Sequence, residues 1–551
     1  MAITLPSNWF ILIPSFLLLL FAVVFHSKGR HKGSVLLLLL SALSTRVFMA
    51  GLDPFLHDWD ERFHALVAKN MISDPFVPKL RAHTWFAYDF RDWCNNHIWI
   101  HKQPLFLWQM ALSMYLLGGD TFALRLPSVI MGTVQVVLVW RIAYLLSQNR
   151  SVAFLAAVLQ TFSFYHLQLI SGQRGMDHND VAFVFYVTAS IWAWCEYIHR
   201  GSWGWALVIG LLAGCAVLNK WLIGMVVYFG WIVYLLLDRE RRRERSAWTR
   251  LFAALCVTAI VCLPWQLYVL HRFPVEARHE FSFAARHFWE VVEGHARPVW
   301  YYLNQLPLHI GRLWLPTLLL GVLVTLTGRR IVRRDLAIGL LADTAIVFVF
   351  FSLAASKLPS YTFVASPLLF VFTAIGLYTL FEWLVPRLGL TRFRTALFAL
   401  LVLVAAAYTM KFWKILDLRA SSRPYRQAKL DNTALYKALP DLLPPGHRIV
   451  LNVTGYEHVE LMFFTDLSAH AGWGTEAEVR RMASNGIPLA YFPPARGQTI
   501  PDYIEEHPDV FVIPWPTNEG PGDLGGPGSR PRCGVTGPAD VRDSLRDAGV
   551  S

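Results

Sequence analysis

Four short polar segments carry the residues of this sequence that are best suited to chemistry. They are residues 58–64, 101–104, 174–180 and 356–361, and each lies close to a long apolar run. Ionisable groups beside membrane-like segments are costly, so they usually have a function. These segments are therefore the candidate sites of the chain.

Three carboxylates lie in the first segment, which reads DWDERFH from Asp58 to His64. A carboxylate whose surroundings set a suitable pKa can act as a general base. The same residues also suit a helix start, with Asp58 or Asp60 as the N-cap and Glu61 in the first turn. From the spacing alone, helix capping is the favoured interpretation.

Two other segments offer a lysine to an anion. Residues 101–104 (HKQP) open a predicted surface helix, where free N–H groups and the Lys102 ammonium both favour a phosphate. An interfacial lysine that extends toward the headgroups explains Lys102 equally well. Residues 356–361 (SKLPSY) place Lys357 and Tyr361 between two apolar runs, where they can also hold a phosphate.

The remaining segment places Arg174 just before Asp177-His178-Asn179-Asp180. Clustered carboxylates and an imidazole can bind a cation. The spacing matches no specific metal signature, however, and a solvated turn is slightly favoured over a metal site. For contact with a polar substrate, the functional interpretation is favoured.

The composition indicates that these segments connect membrane spans. The chain has 551 residues, of which 55% are hydrophobic and only 16% charged, too few for a soluble protein of this length. Since about 20 apolar residues cross a bilayer as a helix, we predict about 12 spans. They are residues 9–25, 34–50, 122–146, 152–170, 181–197, 205–218, 221–237, 251–270, 306–327, 336–355, 361–383 and 396–412.

The net charge of +12 indicates topology and no nucleic-acid partner. Basic residues cluster in the loops at 28–32, 239–250, 329–334 and 387–394. Alternate threading of the spans puts all four loops on one side, which the positive-inside rule makes cytoplasmic. The segments that fall on the extracytoplasmic side are the N-terminus, residues 52–122, 171–180, Lys220, residues 271–305 and 356–360, and everything after Lys414.

Three regions are predicted along the chain: a transmembrane domain over 1–414, a soluble extracytoplasmic α/β domain over 415–515, and a disordered Gly/Pro-rich tail over 516–551. In the first outer loop, periodicity predicts surface helices over 59–71 and 104–117. In the α/β domain, the pattern predicts strands over 448–453 and 510–513 and helices over 457–464, 476–484 and 501–506.

In this order, the segments resemble the GT-C glycosyltransferases of the protein O-mannosyltransferase and lipid A aminoarabinose transferase type. DERF at 60–63, followed by PKL at 78–80, is similar to that family's DEARY…PxL opening of the first outer loop. HKQPLFLW at 101–108 is similar to its EKPPLLYW segment, and RLPS at 125–128 to the start of its next span.

The later motifs continue the resemblance. Asp177 falls where the family has its second loop aspartate, residues 214–220 resemble its GLALLTKG stretch, and LPW at 263–265 matches the PW before its third large loop. SKLPSY at 356–361 is close to SKLPHY. The resemblance covers roughly residues 45–370, and seven motifs in register are far more specific than any one of them.

The resemblance implies inverting transfer of a hexose or pentose from a polyprenyl-phosphate carrier, without a nucleotide cofactor. It makes Asp60 the catalytic aspartate, which reverses the preference for capping, and it places Lys102 and Lys357 on the carrier phosphate. The remaining candidates are Glu61 and Asp177 as catalytic groups, and Arg174, Lys220 and Tyr361 as further contacts of the phosphate.

A divalent metal ion is also implied, although the sequence departs from the family here. The family's Glu before the phosphate lysine is His101 in this chain. By the same analogy His287 is the second candidate ligand, so the two imidazoles define the predicted metal site.

We therefore expect an all-α polytopic membrane protein of the GT-C type with a small exported α/β domain. Its expected partners are a polyprenyl-phosphate sugar, membrane lipids and a lipid, glycan or protein acceptor. The alternatives are a polysaccharide ligase or polymerase and a lipid-linked-sugar flippase. A transporter or flippase should carry ionisable residues inside its spans and two repeated halves. A membrane-anchored binding module is the weakest alternative, since an anchor does not need a dozen spans.

Overall fold

A computed structural model describes Phe10 and residues 12–328, 333–418, 424–494 and 499–514. Most of the described residues up to Lys414 are helical, and residues 71–104 of the first outer loop form a long non-helical stretch. The helices of the first half are α1 (Leu12–Ser27), α2 (His31–Ala50), α3 (Asp60–Asn70), α4 (Leu105–Leu117), α5 (Thr121–Ser147), α6 (Arg150–Thr161), α7 (Phe164–Ile170), α8 (Asp177–Arg200), α9 (Trp203–Lys220) and α10 (Val226–Leu237). Those of the second half are α11 (Arg239–Arg243), α12 (Arg245–Arg272), α13 (Pro274–Trp289), α14 (Tyr301–His309), α15 (Leu315–Thr327), α16 (Arg334–Leu353), α17 (Ser366–Arg387), α18 (Arg394–Met410) and α19 (Phe412–Leu418).

The chain is a polytopic membrane protein. Within the described residues, eight helical stretches are long and apolar enough to cross a membrane, or ten if each of two bent pairs is one span. In their described residues all 12 predicted apolar segments are mainly helical, and the lower count has physical causes. One segment forms the 16-residue α1, two fall in the single stretch Trp203–Leu237, and two contain sharp bends.

The stretch Trp203–Leu237 folds back on itself. The Tyr228 hydroxyl lies 2.7 Å from the Thr258 hydroxyl, which donates to the Gly210 carbonyl at 2.9 Å. In a continuous helix, Gly210 and Tyr228 would be about 27 Å apart, at a 1.5 Å rise per residue. Helix α10 therefore runs back beside α9, as the two separate predicted spans require.

The bend of 47° between α6 and α7 is stabilised by a buried cation. Where a helix breaks, carbonyl groups lose their partners and must bond elsewhere. The buried Arg46 guanidinium donates to the carbonyls of Gln160 and Thr161, each at 3.3 Å. This in-span charge therefore has a structural use at the break.

The candidate segments gather at one end of the bundle. Helix α8 begins at Asp177, beside α3, and its 24 residues reach about 36 Å along the axis to Arg200 at the other end. Basic residues that were predicted to be cytoplasmic lie at that far end, where Arg241 pairs with Asp335 at 2.8 Å.

The C-terminal region is an α/β unit with an all-parallel sheet, as predicted in outline. Its elements are α20 (Pro424–Leu442), β1 (Ile449–Leu451), α21 (Glu457–Phe464), β2 (Ser468–Ala469), α22 (Glu476–Ser484), β3 (Leu489–Tyr491), α23 (Asp502–Glu505) and β4 (Val510–Val512). The strand order is β2-β1-β3-β4, and Ile449 pairs with Leu489. Two strands and α20 were not predicted; the strands are only two and three residues long, too short for a periodicity.

This α/β unit packs directly on the first outer loop. Its small hydrophobic core, which includes Leu451, Val479 and Leu489, also contains Phe86 of that loop. The predicted disordered tail from Pro516 lies outside the described residues, as do Arg329 and Arg330 of the third basic loop.

We expect the two ends of the bundle to face opposite sides of the membrane. Ser73 and Glu244 are exposed at the two ends, so Ser73→Cys should react with an impermeant thiol reagent in intact cells. Glu244→Cys should react only after permeabilisation, because basic loops stay cytoplasmic. The unmodified chain controls for native cysteines. Protection of position 73 in intact cells would reverse the assigned orientation.

Candidate active site

Asp60 begins α3 at a strained turn. The preceding residue, Trp59, has φ 67°, a left-handed conformation that is costly for a bulky side chain. The Asp60 carboxylate accepts a hydrogen bond from the Met176 amide at 2.9 Å, and its other oxygen lies 3.8 Å from the Lys102 ammonium and 4.0 Å from His64 Nε2. Its side chain is 15% exposed, so it stays open to a ligand.

The surroundings of Asp60 keep it ionised. Burial opposes the charged form, but Lys102, His64 and the Met176 amide together outweigh it and hold the pKa of Asp60 below its ordinary value. Such a carboxylate accepts hydrogen bonds well at neutral pH but is a weak base. It is therefore better suited to hold a hydroxyl in line than to remove its proton early.

Glu61, the neighbouring candidate, is fully buried in an ion pair. Its carboxylate accepts from the Arg125 guanidinium at 2.7 and 3.0 Å, from the His57 amide at 2.7 Å, and lies 3.2 Å from His178 Nε2. Gly172 packs against it so closely that a Cβ there would lie 2.1 Å from the carboxylate. Every oxygen is satisfied, which favours a structural role for Glu61.

Asp177 is connected to Asp60 through a histidine that lies between the two carboxylates. One Asp177 oxygen is 2.9 Å from His64 Nδ1, while the opposite ring nitrogen faces Asp60. Both Asp177 and His64 are fully buried. The structure thus brings the two predicted aspartates together, with His64 as a link that the sequence did not indicate.

The predicted phosphate-binding cations have very different partners. Lys220 forms a salt bridge with buried Asp180, and its ammonium lies 5.0 Å from the Tyr361 ring centroid. Arg174 is exposed and donates to the Gln168 side chain at 3.2 Å. Lys220 is therefore neutralised already, whereas Arg174 has no ion pair within the described part of the chain.

Lys357 lies in a loop that is hydrogen-bonded to the segment after α13. Its amide donates to the His295 carbonyl at 3.0 Å, and Ser356 bonds to both Val292 and Glu290. The ammonium donates to the Ala354 carbonyl, and burial lowers its pKa. Among the described residues, it makes no ion pair with Asp60 or any other carboxylate, so its charge is available to an anion.

The predicted metal ligand His101 contacts a carboxylate that sequence reasoning missed. His101 Nδ1 lies 3.1 Å from Glu280 on α13, and its ring stacks on Trp93. Burial raises the pKa of Glu280 to about 7 and, with Lys102 nearby, puts the pKa of His101 well below its usual value. A neutral imidazole beside a poorly compensated carboxyl group fits the donor set of zinc.

His287, the second predicted ligand, lies one turn after Phe283 on the same helix. Its Nδ1 bonds to the Phe283 carbonyl at 2.9 Å, so its Nε2 is the atom suited to a metal. Glu280 and His287 are seven residues, or two turns, apart and therefore share a face of α13. That spacing was the available signal for Glu280.

A second acidic cluster lies behind the strained turn. Ligand oxygens of Asp58, Glu457 and Glu460 converge within 4.8 Å of one another, as they would around a cation. The Lys429 ammonium already occupies that position, at 2.9, 2.7 and 2.6 Å from the three carboxylates. This cluster therefore has an internal cation and is a poor metal site.

Comparison with known proteins finds membrane sugar transferases among those that this chain resembles. Residues 101–268 match the family model of dolichyl-phosphate-mannose-protein mannosyltransferases. The chain is 28% identical over 284 residues to an undecaprenyl phosphate-alpha-4-amino-4-deoxy-L-arabinose arabinosyl transferase from Yersinia enterocolitica, over 49% of each chain. The namesake from Pseudomonas aeruginosa is 30% identical over 287 residues, again over 49% of each. The chain thus aligns with about half the length of the curated relatives it matches.

Solved structures extend the likeness to most of the fold. ArnT from Cupriavidus metallidurans, crystallised with undecaprenyl phosphate, superposes with a TM-score of 0.59 at 16% identity over 87% of this chain and 90% of that one. The Archaeoglobus fulgidus oligosaccharyltransferase superposes with a TM-score of 0.53 at 15% identity, over 80% and 64%. The resemblance expected from the seven motifs is confirmed: this chain has the fold and the sequence pattern of the GT-C glycosyltransferase superfamily.

Proposed function

We propose that this chain is an inverting glycosyltransferase that moves one sugar from a polyprenyl-phosphate carrier to an acceptor hydroxyl. The observation that carries the proposal is the Asp60 carboxylate, partly exposed and 3.8 Å from the Lys102 ammonium. An acceptor hydroxyl needs the first group and a leaving phosphate needs the second. The names of the relatives favour a pentose on an undecaprenyl carrier.

In the proposed reaction, the acceptor oxygen attacks the anomeric carbon while the bond from that carbon to the phosphate oxygen breaks. The phosphate leaves from the opposite face, so the configuration inverts. Asp60 accepts a hydrogen bond from the hydroxyl, orients it and receives its proton as the new bond forms. Because its pKa is lowered, we expect that transfer to come late.

The leaving phosphate gains charge, which fixed cations stabilise most strongly away from bulk water. We assign Lys102 and Lys357 to this task, because neither ammonium is fully neutralised by a carboxylate. Arg174 is a further contact at the exposed rim. Lys220 and Tyr361 shape the site, with the Lys220 charge balanced by Asp180. Glu61 and Asp177 support Asp60 through buried bonds.

The reaction is assigned to the extracytoplasmic face, with residues 1–414 as the transmembrane domain and 415–515 as an exported domain. The positive-inside rule supports this orientation, because the basic loops lie at the end opposite to Asp60. No nucleotide is required, since the phosphodiester linkage of the carrier is already activated. A flippase is disfavoured because Arg46, an in-span charge, bonds to helix-break carbonyls.

The first test replaces the proposed base. We expect Asp60→Asn to lower turnover by about 10²–10⁴-fold, since general base catalysis typically contributes that much. The variant should still insert and bind undecaprenyl phosphate, because Asn preserves the size of the side chain. The assay is sugar transfer by purified protein in detergent, with thermal stability measured alongside.

Glu61→Gln serves as the neighbouring control, with its own measurement of stability. We expect Glu61→Gln to destabilise the protein, because it leaves Arg125 buried without its partner. If the Asp60→Asn enzyme is fully active, another residue must be the base, and Asp177 is the next candidate.

A second test concerns the carrier phosphate. Lys102→Ala and Lys357→Ala should each raise the KM for the donor, and Lys→Arg should restore part of the loss, because each removes or returns a positive charge near the phosphate. Lys437→Ala, an exposed lysine on α20, is the matched control. If both alanine variants keep the wild-type rate at low donor concentration, the two lysines do not bind the phosphate and are only interfacial anchors.

We also propose that His101 and Glu280, whose ligand atoms lie 3.1 Å apart, hold a divalent cation such as zinc, with His287 on the same face of α13 as the further candidate ligand. When bound, such an ion would tie α13 to the residues before α4 and supply a fixed positive charge. Glu280→Gln should abolish stoichiometric zinc binding, measured by metal analysis of the purified protein, whereas exposed Glu290→Gln should not. Equal zinc content in both variants would contradict this assignment.

A further inference from the structure

The α/β unit contacts the segment that carries Asp60 through a cluster of charged side chains. Lys429 of α20 contacts Asp58, which also accepts from the Tyr425 hydroxyl at 2.8 Å. Arg62 on α3 pairs with Asp58 and lies 3.3 Å from Glu460 of α21. The cluster therefore joins two helices of the α/β unit, α20 and α21, to the first turn of α3.

Most of the cluster is shielded from water, and Asp58, at 34% exposure, is its open edge. The Lys429 and Arg62 side chains are each 4% exposed, and Glu460 is fully buried. Ion pairs in such surroundings are weakly screened, and removing one partner is far more costly than at a surface. Breaking the contacts among the buried side chains of this cluster is therefore expected to be costly.

The strained turn lies directly between these fixed points. Asp58 precedes Trp59, whose φ is 67°, and Arg62 follows it, donating to the Gly455 carbonyl at 3.0 Å. The Trp59 ring also lies 6.1 Å from that of Tyr456. A strained conformation persists only when its surroundings determine it fully, and here the α/β unit contacts the turn on both sides.

We propose that the α/β unit is a positioning element for the Asp60 carboxylate, and that Lys429 is its key positioning residue because it holds Asp58 two residues away. This inference rests on the proposed function for its link to catalysis. Lys429 touches neither donor nor acceptor in this scheme. It acts by fixing the direction in which Asp60 leaves the turn.

The test uses the full-length protein. Lys429→Met should lower turnover by about 10²-fold, the scale of a 1 Å misplacement at a reacting centre, while the Kd for undecaprenyl phosphate stays unchanged. Asp58→Asn should lower turnover similarly. The double variant of Asp58→Asn and Lys429→Met should have a turnover no lower than that of the less active single variant, because both substitutions break the same link. Lys437→Met, on the same helix, should be silent.

A compensated variant separates positioning from simple charge balance. Adding Glu457→Gln and Glu460→Gln to Lys429→Met removes the surplus negative charge, so thermal stability should recover and turnover should remain low. If turnover recovers together with stability, Lys429 is only a counter-ion and the proposal is wrong. Multiplicative losses in the Asp58–Lys429 pair would also overturn it.

Hydrogen exchange of the peptide covering residues 57–62 gives a readout that needs no activity. Exchange there should rise in Lys429→Met and remain unchanged in Lys437→Met. If exchange rises but the wild-type protein transfers no sugar, the proposed function fails and the positioning role stands. If the wild type transfers sugar and Lys429→Met matches it in exchange and turnover, the positioning role fails alone.

Discussion

The site depends on the hydrogen bonds and the ion pair that the fully buried Arg125 guanidinium makes. A charge in such surroundings is tolerated only when it is paired and its donors are satisfied. Arg125 meets both conditions, donating to the carbonyls of Ala50, Asp53 and Phe55 and pairing with Glu61. It thereby ties the end of α2 and the start of α3 to α5. The direction of the first outer loop follows from this single anchor.

Around that anchor, the charges of the site divide into those that are balanced within the protein and those that are left partly open. Glu61 and Lys220 each have a close, buried counter-ion, so they stabilise the structure. Asp60 and Lys102 are 3.8 Å apart and partly exposed, which is too far for a tight bond. In the proposed function, this spacing lets Asp60 bind an acceptor hydroxyl and Lys102 bind a phosphate in place of each other.

The α/β unit is packed against the first outer loop and is part of the surroundings of the site. Phe86 of the first outer loop packs in its hydrophobic core, and Lys429 forms salt bridges with three carboxylates where the two parts meet. An apolar contact and a charged cluster therefore both join the two parts. The α/β unit thus supplies neighbours to the loop that carries Asp60.

The sequence by itself determined the class of the protein, its apolar segments and its best chemical candidates. Apolar length and basic loops are local properties, and the α21 and α22 bounds follow from local periodicity and capping. Only the tertiary structure decided which charges neutralise one another, because ion pairs such as Glu61–Arg125 join residues that are 64 positions apart. It separated Glu61 from Asp60, although they are adjacent in sequence, since neighbouring residues on a helix point in different directions. It also revealed Glu280, whose role depends on a histidine that is distant along the chain.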